Sequence, residues 1–100
     1  MYQVVKRDGK ISAFDLSKIS TAIKKAFDAL GTPYNDDIID LLALKVTADY
    51  TGKIKDGFIN VEDIQDSVEN VLVKAGYAEV AKAYILYRKQ REKIRNLNST

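Results

Sequence analysis

One hundred residues, 46% of them apolar, supply the core of one domain and leave little depth for an enclosed catalytic cleft. The chain has no cysteine and no histidine, which removes disulfides, Cys/His zinc sites, thiol chemistry and imidazole acid–base catalysis together. The net charge of +2 argues against a whole-surface nucleic-acid binder, but it is uneven: residues 88–95 carry five cations and one anion, leaving the rest of the chain at −2.

Residues 2–6 are rich in β-branched and aromatic side chains and read as a strand. Asp8-Gly9 is a favoured pair for a two-residue type I′ hairpin turn, with residues 11–14 returning as the second strand. Asp15 is placed to N-cap a helix carrying Leu16, Ile19, Ile23, Phe27 and Leu30 on its apolar positions, with Gly31 and Pro33 ending it. A second helix starts after Asn35 and runs to about Asp49; it is apolar on most sides, which predicts a central place in a bundle. Residues 51–57 read as a loop and Phe58-Ile59 as a short third strand beside the hairpin. Asn60 is the expected N-cap of a third helix that ends at Gly76, and a fourth helix runs from about Ala78 into the Arg/Lys-rich end. The expected fold is α+β, a four-helix bundle with a small sheet made by the N-terminal hairpin. The domain is expected to occupy residues 1–95, with 96–100 a linker or truncation point.

The opening segment holds the candidate chemistry. With Asp15 as N-cap, Lys18 stands in the first helical turn, where the helix dipole disfavours a cation by about 0.3–1 kcal/mol. Either the lysine bends outward into water, or an anion occupies the turn and the lysine and the backbone N–H groups converge on it. Lys6 and Arg7 add two cations at the strand end; strand alternation points them to opposite sides of the sheet. Val4, Val5, Phe14 and Ile19 surround this charge with apolar surface that serves the core, an adenine slot, or both. Near the other end, Arg88 and Arg91 share a helix face beside Lys89, as a solvated charge run or a second anion contact. Tyr77, Tyr84 and Tyr87 precede them at helical spacing, suited to the core or to stacking on a base. Nucleophile-elbow, Walker-type and Gly-x-Gly-x-x-Gly patterns are absent, so by itself the chain is not expected to be an enzyme.

Val-Val-Lys-Arg-Asp-Gly-Lys at 4–10, followed by Phe-Asp-Leu-Ser-Lys-Ile at 14–19, resembles the signature of the ATP-cone family. The stretches Ile-Asn-Val-Glu-Asp-Ile-Gln-Asp-Ser-Val-Glu at 59–69 and Val-Ala-Lys-Ala-Tyr-Ile-Leu-Tyr-Arg at 80–88 extend the resemblance over about residues 3–92. The resemblance implies a four-helix bundle capped by a small mixed β-sheet. It also implies an allosteric regulatory domain, as found at the N-terminus of ribonucleotide reductase catalytic subunits, that binds ATP to keep the enzyme active or dATP to turn it off. On that pattern Val4 and Val5 line the base side, Lys6, Arg7 and Lys18 contact phosphates, and Phe14, Asp15 and Ile19 shape the adenosine pocket. Gln65 stands where some members carry a histidine, able to bond a sugar or phosphate. Gln90 falls near a position that is often basic, which leaves Arg88, Lys89 or Arg91 to meet phosphate.

Magnesium is expected on the nucleotide phosphates and not on a protein site of its own. The implied partners are adenine nucleotides, the catalytic domain of the parent reductase, and other cones or subunits in nucleotide-dependent oligomers. Without cysteine the chain cannot be the thiyl-radical catalytic part or a zinc-ribbon repressor, and its ending resembles a catalytic subunit of the anaerobic glycyl-radical class. No apolar run approaches the roughly 18 residues of a membrane span and no signal peptide is visible, so a cytoplasmic location without membrane contact is expected. The alternatives are a small nucleic-acid-binding module that uses the basic C-terminal helix, and a helical adaptor without a ligand.

Overall fold

A computed structural model describes residues 2–98. In chain order the elements are β1 (Gln3–Val5), β2 (Ile11–Ala13), α1 (Leu16–Leu30), α2 (Asp36–Tyr50), β3 (Phe58–Asn60), α3 (Val61–Lys74) and α4 (Ala78–Asn98), with one 3₁₀ turn, Thr51–Lys53, after α2. The sheet is mixed, in the order β2-β1-β3: β1 pairs antiparallel with β2 and parallel with β3. The expected α+β architecture of four helices and a small mixed sheet is the one observed. Helical backbone continues through Asn98, three residues into the stretch expected to be a linker.

The hairpin forms, but with a different turn. Lys6 pairs with Lys10 and the Gly9 N–H donates to the Lys6 carbonyl (2.9 Å), so the loop has three residues, Arg7, Asp8 and Gly9, with positive φ at Gly9 and not at Asp8. This is the loop with a bulge at its glycine, and the Asp8 carboxylate braces it by accepting from the Lys10 N–H at 3.0 Å. The reason is register. Val4 lies opposite Ser12 and Val5 opposite Ile11, which puts Tyr2, Val4, Ser12 and Phe14 on one face. A two-residue turn would slip the pairing by one and send Phe14 outward. The two-residue turn occurs instead at the chain's second Asp-Gly pair: Asp56 (φ 54) and Gly57 (φ 80) join Lys55 and Phe58, whose backbones exchange two hydrogen bonds of 2.9 Å.

Helix boundaries follow their caps. The Asp15 carboxylate accepts from the Ser17 N–H at 2.9 Å and from the Ser17 hydroxyl at 2.6 Å, and Asn35 accepts from the Ile38 N–H at 2.8 Å. Gly31 and Gly76, both at positive φ, follow the ends of α1 and α3. Asn60 occupies the N-cap position of α3 as expected, with extended backbone, but its side chain makes no capping bond.

The helices form a ring in which α1 and α3 each touch both α2 and α4. Its core contains Ile23, Phe27, Ile39, Val46, Val68, Leu72 and Val80, all essentially inaccessible. Leu16 and Leu30, expected on the buried face of α1, are exposed at its two ends. The expectation of a central α2 also fails. As one corner of a ring it has two open sides, and Leu41 and Leu44 are 53% and 58% exposed.

Two aromatic groups anchor opposite ends of α1. Phe27 packs edge-on to Tyr77 (5.2 Å) and against Tyr34 (5.4 Å). Under the sheet, Phe14 and Tyr50 both pack on Tyr2, and the Tyr2 and Tyr50 hydroxyls hydrogen-bond each other. Burial, then the Tyr2 hydroxyl, pushes the Tyr50 phenol well above its ordinary range, and burial raises Tyr84 from 10.0 to about 12.

Two outcomes are expected. Asn35→Ala removes a real cap and should cost about 0.5–2 kcal/mol, whereas Asn60→Ala should leave thermal stability nearly unchanged; equal losses in paired melts would contradict the assignment. The raised tyrosines favour the neutral phenol in the folded state. Their contribution is therefore complete below about pH 10 and fades as pH rises toward 12, so phenolate absorbance and unfolding should appear together in an alkaline titration.

Candidate functional site

Three helices present a stripe of residues at i, i+3, i+4 and i+7 to one open groove of about 900 Å³, and the hairpin lies across it. From α1 come Lys18, Thr21, Ala22 and Lys25; from α3, Val61, Ile64, Gln65 and Val68; from α4, Tyr84, Tyr87, Arg88 and Arg91. The buried Val4, Ile19, Ile64 and Val68 make its apolar floor. Above that floor stand, among the described residues, six cations, Lys6, Arg7, Lys18, Lys25, Arg88 and Arg91, against two carboxylates, Asp8 and Asp15. Each of these carboxylates accepts from a backbone N–H, of Lys10 and of Ser17. An apolar floor under a cationic rim suits a ligand with a flat apolar end and an anionic tail.

Ten of the eleven sequence-derived candidates line this groove: Val4, Lys6, Arg7, Phe14, Asp15, Lys18, Ile19, Gln65, Arg88 and Arg91. Val5 does not. Its neighbour Val4 points to the core face, and strand alternation turns Val5 away. Lys6 and Arg7 were expected on opposite sides of the sheet, yet both line the groove, because β1 ends at Val5 and alternation ends with it. At the end of α4 the groove takes Arg88 and Arg91, while Lys89 and Gln90 are exposed outside it.

Lys18 stands in the first turn as expected. Of the described helices only α1 has no acid there; α2, α3 and α4 begin with Asp36 and Asp37, Glu62 and Asp63, and Glu79. One detail changes. The Ser17 N–H is taken by the Asp15 side chain and the Lys18 N–H by the Asp15 carbonyl at 3.1 Å, so an anion at this turn would meet mainly the lysine ammonium. The Ser17 hydroxyl and N–H, with Lys18 nearby, hold the Asp15 carboxyl below its ordinary 3.8. The Lys18 ammonium makes no hydrogen bond or ion pair to a described residue.

The two arginines are held differently. Arg7 reaches α3 through Nη2 to Gln65 Oε1 at 3.3 Å and through Nε beside Glu62 Oε1 at 3.6 Å, with 30% and 62% of the Arg7 and Glu62 side chains exposed. An exposed pair of this kind contributes about 0–1 kcal/mol and exchanges readily. Arg88 is 18% exposed; its Nη1 donates to Glu69 Oε1 and lies 3.8 Å from Asp66 Oδ1. A charge-assisted bond this shielded contributes about 1.5–3 kcal/mol.

Sequence reasoning missed Lys25. It lies two turns beyond Lys18 on the same stripe of α1, and that i, i+7 spacing was the available signal. The Tyr87 hydroxyl accepts from Lys25 Nζ at 3.3 Å and from Arg91 Nη1 at 3.2 Å, and both cations approach its ring, at 5.5 and 5.8 Å. Burial raises the Tyr87 phenol, but the two cationic donors outweigh it and the net shift is downward. Among the described residues no helix is long and apolar enough to cross a membrane, and no group of three acids could hold a metal.

The ATP cone domain family matches residues 2–93. The chain is 41% identical over 98 residues to a vitamin B12-dependent ribonucleoside-diphosphate reductase of Thermoplasma acidophilum, with 93% of the chain and 12% of that protein covered. It is 40% identical over 98 residues to a ribonucleoside-diphosphate reductase subunit alpha of Chlamydia pneumoniae, covering 92% of the chain and 9% of the relative. An anaerobic ribonucleoside-triphosphate reductase of Haemophilus influenzae matches at 34% over 101 residues, covering 98% and 14%. The chain thus spans only about a tenth of the length of these relatives. An ATP cone is a regulatory domain and not a catalytic one. By its fold, its hairpin–helix groove and a match over nearly its whole length, the chain belongs to the ATP-cone family.

Proposed function

We propose that the groove binds the triphosphate of ATP or dATP and that the domain controls the overall activity of a ribonucleotide reductase. The observation that carries this reading is the lining: six cations over an apolar floor, in a chain whose net charge is only +2. Lys6, Arg7 and Lys18 meet the phosphates from the hairpin side and Arg88 or Arg91 from α4. Val4, Phe14 and Ile19 give the base an apolar wall, with Gln65 and Asp15 as polar groups beside the sugar. Magnesium, where present, arrives on the phosphates, since among the described residues no group of three acids could hold a metal and the groove carries only Asp8 and Asp15.

ATP and dATP differ by one hydroxyl, so regulation requires that this difference bias a nearby element between two arrangements. The readout is a change in how the cone's outer surface meets the catalytic domain or other cones and subunits of the parent enzyme. The rival reading, a nucleic-acid module on the basic end of α4, loses force because Arg88 and Arg91 turn into the groove.

Calorimetry with ATP, dATP and GTP tests the reading and gives the stoichiometry. Sub-millimolar binding of the adenine nucleotides is expected, and its absence would overturn the proposal. Lys18→Ala should weaken ATP at least about tenfold, because a charge-assisted phosphate contact is lost without disturbing a packed residue; unchanged affinity would return Lys18 to solvent. The nucleic-acid reading instead requires duplex binding that falls steeply with salt and ignores ATP.

A further inference from the structure

We infer that Glu69 is a positioning residue that fixes Arg88 on the groove wall, making Arg88 the α4 group that meets the anionic tail of the ligand. The inference deepens the nucleotide reading and rests on it for the identity of the ligand. Lys89 and Gln90 lie outside the groove, and Arg91 is drawn to the Tyr87 hydroxyl. Arg88 lines the groove with its side chain 18% exposed, and α3 holds it from behind. Two carboxylates of α3 engage the same nitrogen: Nη1 bonds Glu69 and faces Asp66. A guanidinium carries five N–H donors in one rigid plane, so a grip on Nη1 leaves the Nη2 and Nε donors for an incoming oxyanion.

The opposite role for Glu69 is a resident counter-anion that the ligand must displace. The geometry favours the positioning role, because Glu69 is itself only 27% exposed and grips one end of the fork, so nothing need be released when a phosphate takes the other donors. Arg7 is the contrast: its Nε and Nη2 are both engaged, by Glu62 and Gln65, through contacts that water can replace.

Pre-ordering saves the entropy of immobilising a long side chain on binding, which sets the size of the effect. Glu69→Ala should weaken ATP roughly three- to tenfold, although it removes a negative charge from beside a polyphosphate site. Adenosine affinity, read by magnetic-resonance titration, should not change. In an Arg88→Ala background the same substitution should no longer weaken ATP. Should Glu69→Ala fail to fold, Glu69→Leu carries the same comparison, keeping most of the side-chain volume and offering Arg88 no acceptor. Tighter or unchanged ATP binding overturns the inference, as does an equal loss for adenosine and ATP, which would make Glu69 a general structural prop. Inorganic tripolyphosphate separates the two proposals. If the wild-type protein ignores adenine nucleotides but binds tripolyphosphate, and Glu69→Ala weakens that binding, the nucleotide reading falls and the positioning role stands. If it binds neither, both fall.

Discussion

The even register of the β1–β2 pairing is the constraint on which the rest of the molecule depends. It places Tyr2, Val4 and Phe14 on the face that meets the helices, so the hairpin is held to the bundle by aromatic and aliphatic contacts and not by its short ladder alone. It also makes the loop odd in length, which carries Lys6 and Arg7 past the end of the strand and over the groove. The anchoring of the hairpin and the location of its charge therefore follow from one choice, which residue of β2 faces Val4.

Around that hairpin the molecule separates two kinds of work. Apolar residues at helical spacing close the ring of helices, and some of them, Ile19, Ile64 and Val68 among them, also form the floor of the groove. The cations stand above that floor and not in the core. Three sit on the hairpin and the first turn of α1, one lies two turns along α1, and two are on α4, so elements far apart in sequence contribute charge of one sign to one place. Bringing like charges together costs energy unless a counter-charge is supplied, and the fold supplies part of it from α3, through Glu62 at Arg7 and through Glu69 and Asp66 at Arg88. The Lys6 and Lys18 ammonium groups make no hydrogen bond or ion pair to a described residue, and Lys18, in a helical first turn without an acid, is the clearest mark of a site built for something from outside.

Much of this was legible in the sequence because it is local. Asp15 caps where a cap was expected, α2 starts after Asn35, Gly31 and Gly76 stop their helices, and the anomaly of Lys18 needs only the position of its own cap to be seen. What the sequence hid was relational. The dipeptide Asp-Gly occurs twice and makes two different turns, because strand register, and not the dipeptide, selects between them. The apolar richness of α2 reads the same for a central helix as for a corner helix with two leucines in water; only the packing of α1 and α3 decides. The grip of Glu69 on Arg88 joins residues on two helices whose crossing no periodicity reveals.

The direct passage from β3 into α3 has a mechanical consequence. β3 ends at Asn60 and α3 begins at Val61, with no intervening residue to absorb a change of direction, while β3 is bonded in register to β1. The fourteen residues of α3 make a rod about 21 Å long, so a tilt of about 5° imposed at the sheet moves its far end by about 2 Å. A small settling of the hairpin onto an occupied groove would thus arrive at Lys74, a full helix length away, as a displacement comparable to half a van der Waals contact. The joint ties the direction of α3 to the sheet.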